Sequence, residues 1–172
     1  MEHLRALNDI NLCAPSSEAW RRHDACNLCA LPIAIILLAA ALRSPQWRRP
    51  LSWYLLAYMA ADGVWMVVQP QIVRAPATML AHHTLTILLL VHALSYAPHL
   101  RYVAWLASVE VNTLMLIARR HFKRGWIELA FYASWVVIRM CWFPYVALQY
   151  APSRLKPPLA LLGSPLLTVT IG

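Results

Sequence analysis

Five long apolar runs, separated by short polar breaks, set the pattern of this chain. They cover about residues 28–42, 51–69, 76–96, 99–118 and 125–150. The breaks are punctuated by helix stops and charges. RSPQWRRP follows the first run, Gln69-Pro70 ends the second, RRHFKR ends the fourth, and Pro152, Pro157 and Pro158 follow the fifth. None of the runs alternates with period two, so they predict membrane-crossing helices rather than barrel strands. A final run, 159–172, has only about half the residues a crossing needs. It predicts a re-entrant half-helix, or the start of a span that continues past Gly172. The expected fold is therefore all-α, a polytopic transmembrane helical bundle of five full spans plus a short or truncated sixth. Residues 1–25 are expected to form a polar N-terminal segment ahead of a transmembrane domain over 26–172.

Composition agrees with this reading. The chain is 60% hydrophobic and 13% charged, about half the charged fraction of a soluble domain. Its mean hydropathy is +0.53. Four acids (Glu2, Asp9, Glu18, Asp24) precede residue 25, too many for a signal peptide whose apolar stretch also comes too late. The other three, Asp62, Glu110 and Glu128, fall in or beside apolar runs. Basic residues do the reverse, and only Arg139 lies well inside a run. The net charge of +8 is therefore mostly a loop property that suits anionic headgroups. Nucleic acid is excluded as a partner, because no basic face is free of membrane. If the spans alternate, the N-terminal side collects Arg5, Arg21, Arg22, Arg74, Arg119, Arg120, Lys123 and Arg124. The opposite side collects Arg43, Arg48, Arg49, Arg101, Arg154 and Lys156. The larger set puts the N-terminus in the cytosol.

Cys26 and Cys29 form a C-x-x-C with His23 just before it. No second Cys or His pair follows at a suitable spacing, so no metal site is expected. These are small thiols at the start of a membrane helix.

The polar residues inside the runs carry the candidate chemistry. An acid or Arg at mid-helix costs about 2.5–3.5 kcal/mol when it faces lipid, so Asp62, Glu110 and Arg139 should face each other or water. Helical geometry places Tyr58, Asp62, Trp65 and Gln69 on one stripe of span two. Glu128, Tyr132, Trp135, Arg139 and Trp142 share a stripe of span five. Glu110 and Thr113 lie one turn apart in span four, and Thr86 falls between the directions of His82 and His83 in span three. The simplest packing turns four polar faces inward around one chamber. Asp62 and Arg139 have a structural reading too, as an ion pair, and Ser108 and Asn112 have one as helix–helix glue. His82 and His83 are harder to assign to structure, since adjacent imidazoles lie 100° apart and at least one must avoid lipid. Either is a candidate base or nucleophile, with Asp62 or Glu110 to orient it. Arg139, Thr86, Thr113, Tyr132 and Trp135 are the candidate lipid or headgroup contacts.

Four pieces of sequence, in this order and spacing, resemble the TLC domain shared by ceramide synthases, the translocating-chain-associated membrane protein and several TLC domain-containing proteins. They are YMAADGVWM in span two, AHHTLTILLL in span three, ASVEVNTLMLIARR in span four and VVIRMCWFPYV in span five. Ceramide synthases follow the double histidine with a second, aspartate-rich cluster. Here Glu110, Asn112 and Thr113 stand instead, which is closer to the TLC domain-containing branch. The resemblance implies a helical bundle around a lipid-accessible cavity, in the endoplasmic reticulum, acting on acyl chains. In its ceramide-synthase form it implies transfer of an acyl group from acyl-CoA, as co-substrate, to an amine, with no covalently bound cofactor. The expected partners are membrane lipids. Two non-enzymatic readings stand beside it. In one, the same cavity only binds lipid. In the other, the chain is a structural subunit of a membrane assembly, docking protein partners through residues 1–25.

Overall fold

The computed structural model describes residues 17–73 and 75–155. Helix α1 covers Ser17–Arg43, α2 Arg48–Val68, α3 Pro76–Ser95, α4 Leu100–Leu106, α5 Val109–Phe122 and α6 Gly125–Trp135. A π-helical segment, Val136–Trp142, follows, and then α7, Phe143–Leu155. Single 3₁₀ turns opened by prolines, Pro45–Trp47, Pro70–Ile72 and Ala97–His99, join α1 to α2, α2 towards α3, and α3 to α4. No strand occurs among the described residues. Among the described residues five segments are long and apolar enough to cross a membrane: Glu18–Arg43, Pro45–Val68, Pro76–Ser95, Ala97–Phe122 and Gly125–Gln149. The terminal run 159–172 lies outside the described residues, as do residues 1–16.

Three details depart from the sequence pattern. Helix α1 begins at Ser17, so the end of the polar N-terminal segment is built into the first span. The fourth span is broken at Ala107-Ser108, where Ser108 Oγ donates back to the Trp105 carbonyl at 2.8 Å, a local bond that competes with the helical ladder. The fifth span widens to π geometry just before Pro144. Proline has no N–H and its ring crowds the carbonyl four residues back. The i→i−5 pattern, seen in Phe143 N–H to the Ile138 carbonyl, accommodates it.

One half of the bundle is a packed apolar core. Ala34, Leu38 and Ala41 of α1 meet Leu51, Leu55 and Met59 of α2, Leu90 of α3, and Ala104 and Ala107 at the fourth span. The same helical faces continue into the other half with polar residues. On α1, the buried positions run from the adjacent pair His23 and Asp24 through Asn27, Leu31, Ala34, Leu38 and Ala41, at helical i+3 or i+4 steps after that pair. On α2 they run Leu51, Ser52, Leu55, Met59, Asp62 and Met66. Thus two stripes turn inward along their whole length and change character midway. The outward faces carry Val64, Val67, Leu85, Leu88 and Leu129, all exposed, as lipid contact requires.

Span five sits differently. Few of its side chains are buried. It is tied to the fourth span by two hydrogen bonds, Asn112 Nδ2 to Ser134 Oγ (3.1 Å) and Trp142 Nε1 to the Trp105 carbonyl (2.9 Å).

Candidate functional site

The polar half of the bundle centres on Asp62, which is buried on α2. Its two carboxylate oxygens accept from two imidazoles on different helices. His23 Nε2 of α1 lies 2.5 Å from Oδ1, and His83 Nε2 of α3 lies 2.9 Å from Oδ2. The second ring nitrogen of His83, Nδ1, donates to the Met79 carbonyl one turn back at 2.8 Å. His83 thus faces an acceptor on both sides. Both contacts are hydrogen bonds only if a proton also sits between His83 Nε2 and the carboxylate. His23 is held from its other side by Asn27, whose amide nitrogen lies 3.3–3.4 Å from the ring nitrogens. Asn27 Oδ1 accepts from the Tyr58 hydroxyl at 3.0 Å, and Trp65 meets the His23 ring edge-on.

A second ionic knot closes the N-terminal end of the bundle. Asp24, 2% exposed, accepts from Arg120 (3.3 Å) and His121 (3.4 Å) at the end of α5. Cations suit the last turn of a helix, where carbonyls are left unpaired.

Three cavities follow one another from this site. The first, about 140 Å³, is polar, lined by His23, Asp62, His83, Glu110, Thr113 and Arg120. The second, about 240 Å³, is an apolar slot between α2, α3 and the fourth span, lined by Leu55, Thr86, Leu90, Ala107 and Val109. His82, Met59 and Glu110 line both, so they stand at the junction. The third, about 540 Å³, is almost wholly apolar and shares Leu89, Val103, Leu106 and Phe143 with the slot.

The adjacent histidines are therefore divided. His83 is buried in the Asp62 bridge. His82 stands T-shaped to it, ring centroids 5.7 Å apart, and neither of its ring nitrogens has a hydrogen-bond partner among the described residues. Glu110 is buried at the junction. Thr113 lines the polar chamber and Thr86 the slot, with its hydroxyl bonded to the His82 carbonyl at 2.9 Å. Arg139 is elsewhere, in the wall of the third cavity beside the Phe143 ring. It makes no ion pair with Asp62, whose oxygens are both taken. Tyr132 and Trp135 face outward, 51% and 39% exposed. Glu128 pairs with Arg119 at the surface. The polar stripe of span five thus does not close the chamber as the helical wheel suggested; α1 supplies the fourth polar wall.

His23, Asp24, Asn27, Arg120 and His121 were missed as site residues because they sit at span ends, where polar residues ordinarily face water. The signal that finds them is the spacing 23/24–27–31–34, which carries the apolar stripe of α1 back into its polar start. Cys26 and Cys29 lie on the exposed face of α1. Among the described residues no cluster of His, Cys, Asp or Glu is arranged to hold a metal ion. The atoms of the bridge point at one another, not at a common centre.

The TLC domain family model matches residues 40–158, most of the chain and the part holding Asp62, the histidine pair, Glu110 and Arg139. The chain belongs to the TLC domain family. No curated protein and no solved structure matches it significantly. As a TLC domain protein with five membrane-length helices, it is an integral membrane protein. Its α1 lies mostly ahead of the matched region, so the wall bearing His23 and Asp24 is contributed from outside it.

Proposed function

We propose that this TLC domain protein binds an acyl lipid with its reactive carbonyl at the polar chamber and its chain in the apolar slot, and transfers the acyl group to an amine. The observation that carries this reading is the position of His82. It is an imidazole with both nitrogens unengaged, where a polar chamber meets an apolar one. In the step proposed, the amine nitrogen forms a bond to the carbonyl carbon of an acyl-coenzyme A thioester as the C–S bond breaks. His82 takes the amine proton and passes it to the departing thiolate. Glu110 at the same junction orients the amine. The His23–Asp62–His83 bridge holds α1, α2 and α3 in register behind His82, so Asp62 and His83 act as positioning residues. The family supports the endoplasmic reticulum as the site of action.

One observation favours a second reading, in which the cavities bind lipid without chemistry. Among the described residues no carboxylate lies against either ring nitrogen of His82, and Asp62 is spent on His23 and His83. The readings separate in one assay. Purified protein given a long-chain acyl-CoA and a long-chain amine base should form amide, and His82→Ala should lower turnover by about 10²–10⁴-fold, the usual worth of a positioned acid–base group. Turnover unchanged in both His82→Ala and His83→Ala ends the catalytic reading; bound lipid without turnover supports the second.

A further inference from the structure

The third cavity has a chemistry of its own. Its wall is Leu89, Val103, Leu106, Phe143 and neighbouring apolar groups, and its volume of about 540 Å³ falls in the roughly 300–1,000 Å³ range of small-molecule sites. Among the described residues one arginine belongs to this wall, Arg139, an exposed residue of span five. Among the described residues Arg139 has no hydrogen bond or ion pair. Its guanidinium lies 5.7 Å from the Phe143 ring centroid. Among the described residues no acid lines the cavity. His92 and His99 do, and they share a 3.0 Å hydrogen bond between Nε2 and Nδ1.

Depth restricts what can answer that charge. In the span Gly125–Gln149, Arg139 lies ten residues from the nearer end, about 15 Å at 1.5 Å per residue. That is near the middle of a hydrocarbon core about 30 Å thick. A bilayer phospholipid keeps its phosphate at the headgroup level and cannot bring it there. A single-chain acid can. Charge points the same way. One guanidinium balances a carboxylate of one negative charge, with two parallel N–H···O bonds, whereas a phosphate monoester brings about −1.5 to −2.

We infer that the Arg139 cavity binds a free long-chain fatty acid, its carboxylate on the guanidinium and its tail along the apolar wall. This site goes beyond the acyl-transfer reading and does not need it, since Arg139 lines neither the polar chamber nor the slot. The test is binding of radiolabelled palmitate to the full chain in nanodiscs. Unlabelled palmitate should displace it, and palmitate methyl ester should be at least tenfold weaker. Arg139→Gln should lose at least tenfold in affinity, Arg139→Lys should keep most of it, and His82→Ala should bind as wild type. Equal displacement by the methyl ester, or wild-type affinity in Arg139→Gln, overturns the inference. Stronger displacement by a single-chain phosphate monoester overturns the carboxylate assignment. The competition series uses wild-type protein alone, so it decides the matter even if Arg139→Gln does not fold. Loss of acyl transfer in His82→Ala with palmitate binding intact keeps the two proposals apart.

Discussion

Asp62 accepts from two imidazoles at once, and this divides the work of the neighbours His82 and His83. Removing His83 strips Asp62 of one of its two partners and leaves a buried acceptor short of a donor, a loss that costs about 1–3 kcal/mol for a neutral acceptor and more for a charged one. Removing His82 breaks no hydrogen bond of its side chain. His83→Ala should therefore lower the thermal midpoint of the detergent-solubilised protein clearly, while His82→Ala leaves it near wild type. Equal midpoints for both variants would mean that the His83–Asp62 contact holds nothing together. Sequence alone could not make this division, because two rings 100° apart on one helix look alike until the neighbouring helices are placed. What it did show was the residue type and depth: an ionisable group at mid-span must find company inside the bundle. Asp62 and Glu110 obey that rule. Arg139 does not: it is exposed on span five, in the wall of the third cavity.

At the scale of elements, the helices themselves were legible because hydrocarbon thickness fixes their length and prolines and arginines mark their ends. The site was half legible. Its α2, α3 and α5 walls stood out as polar breaks in apolar runs, whereas the α1 wall hid in a polar segment and the stripe of span five pointed to the wrong place. The wheel gives which residues share a face, not which way the face turns. Helix α1 is held in place by Asp24, which reaches α5 through Arg120 and His121. The two sides of this clamp are unequal. Arg120 is partly exposed and can be hydrated if Asp24 is neutralised, but Asp24 is buried and cannot if its cations are removed. Asp24→Asn should therefore cost about 1 kcal/mol, and the Arg120→Gln/His121→Gln double variant about 3 kcal/mol or more, as expected when a buried charge is left uncompensated. Urea or thermal unfolding in detergent reads the difference, and equal costs would mean that Asp24 is hydrated through the chamber.

For the whole molecule, the three cavities matter as a series. A polar chamber at the N-terminal end opens at His82 into a narrow slot, and the slot continues to a larger apolar space beside span five. A lipid whose polar end sits at the Asp62 bridge can run its chain through the slot towards that space. The slot lies between the chamber and the larger space, and Thr86 lines it from α3 with its hydroxyl bonded within its own helix, so it contributes no contact to another helix through that group. A phenyl group there fills empty space rather than displacing packed atoms, which keeps the overpacking cost low. Thr86→Phe should leave the protein folded and the polar chamber open, yet stop a long chain from passing beyond His82. Acyl-ester, thioester or amide lipid released from the purified variant and measured by mass spectrometry should shift to short chains, with long chains reduced at least tenfold against wild type, while free fatty acid from the Arg139 cavity is unchanged. Unchanged long-chain occupancy would mean that the slot and the chamber hold different ligands, and the continuous path from carbonyl to chain end would have to be given up.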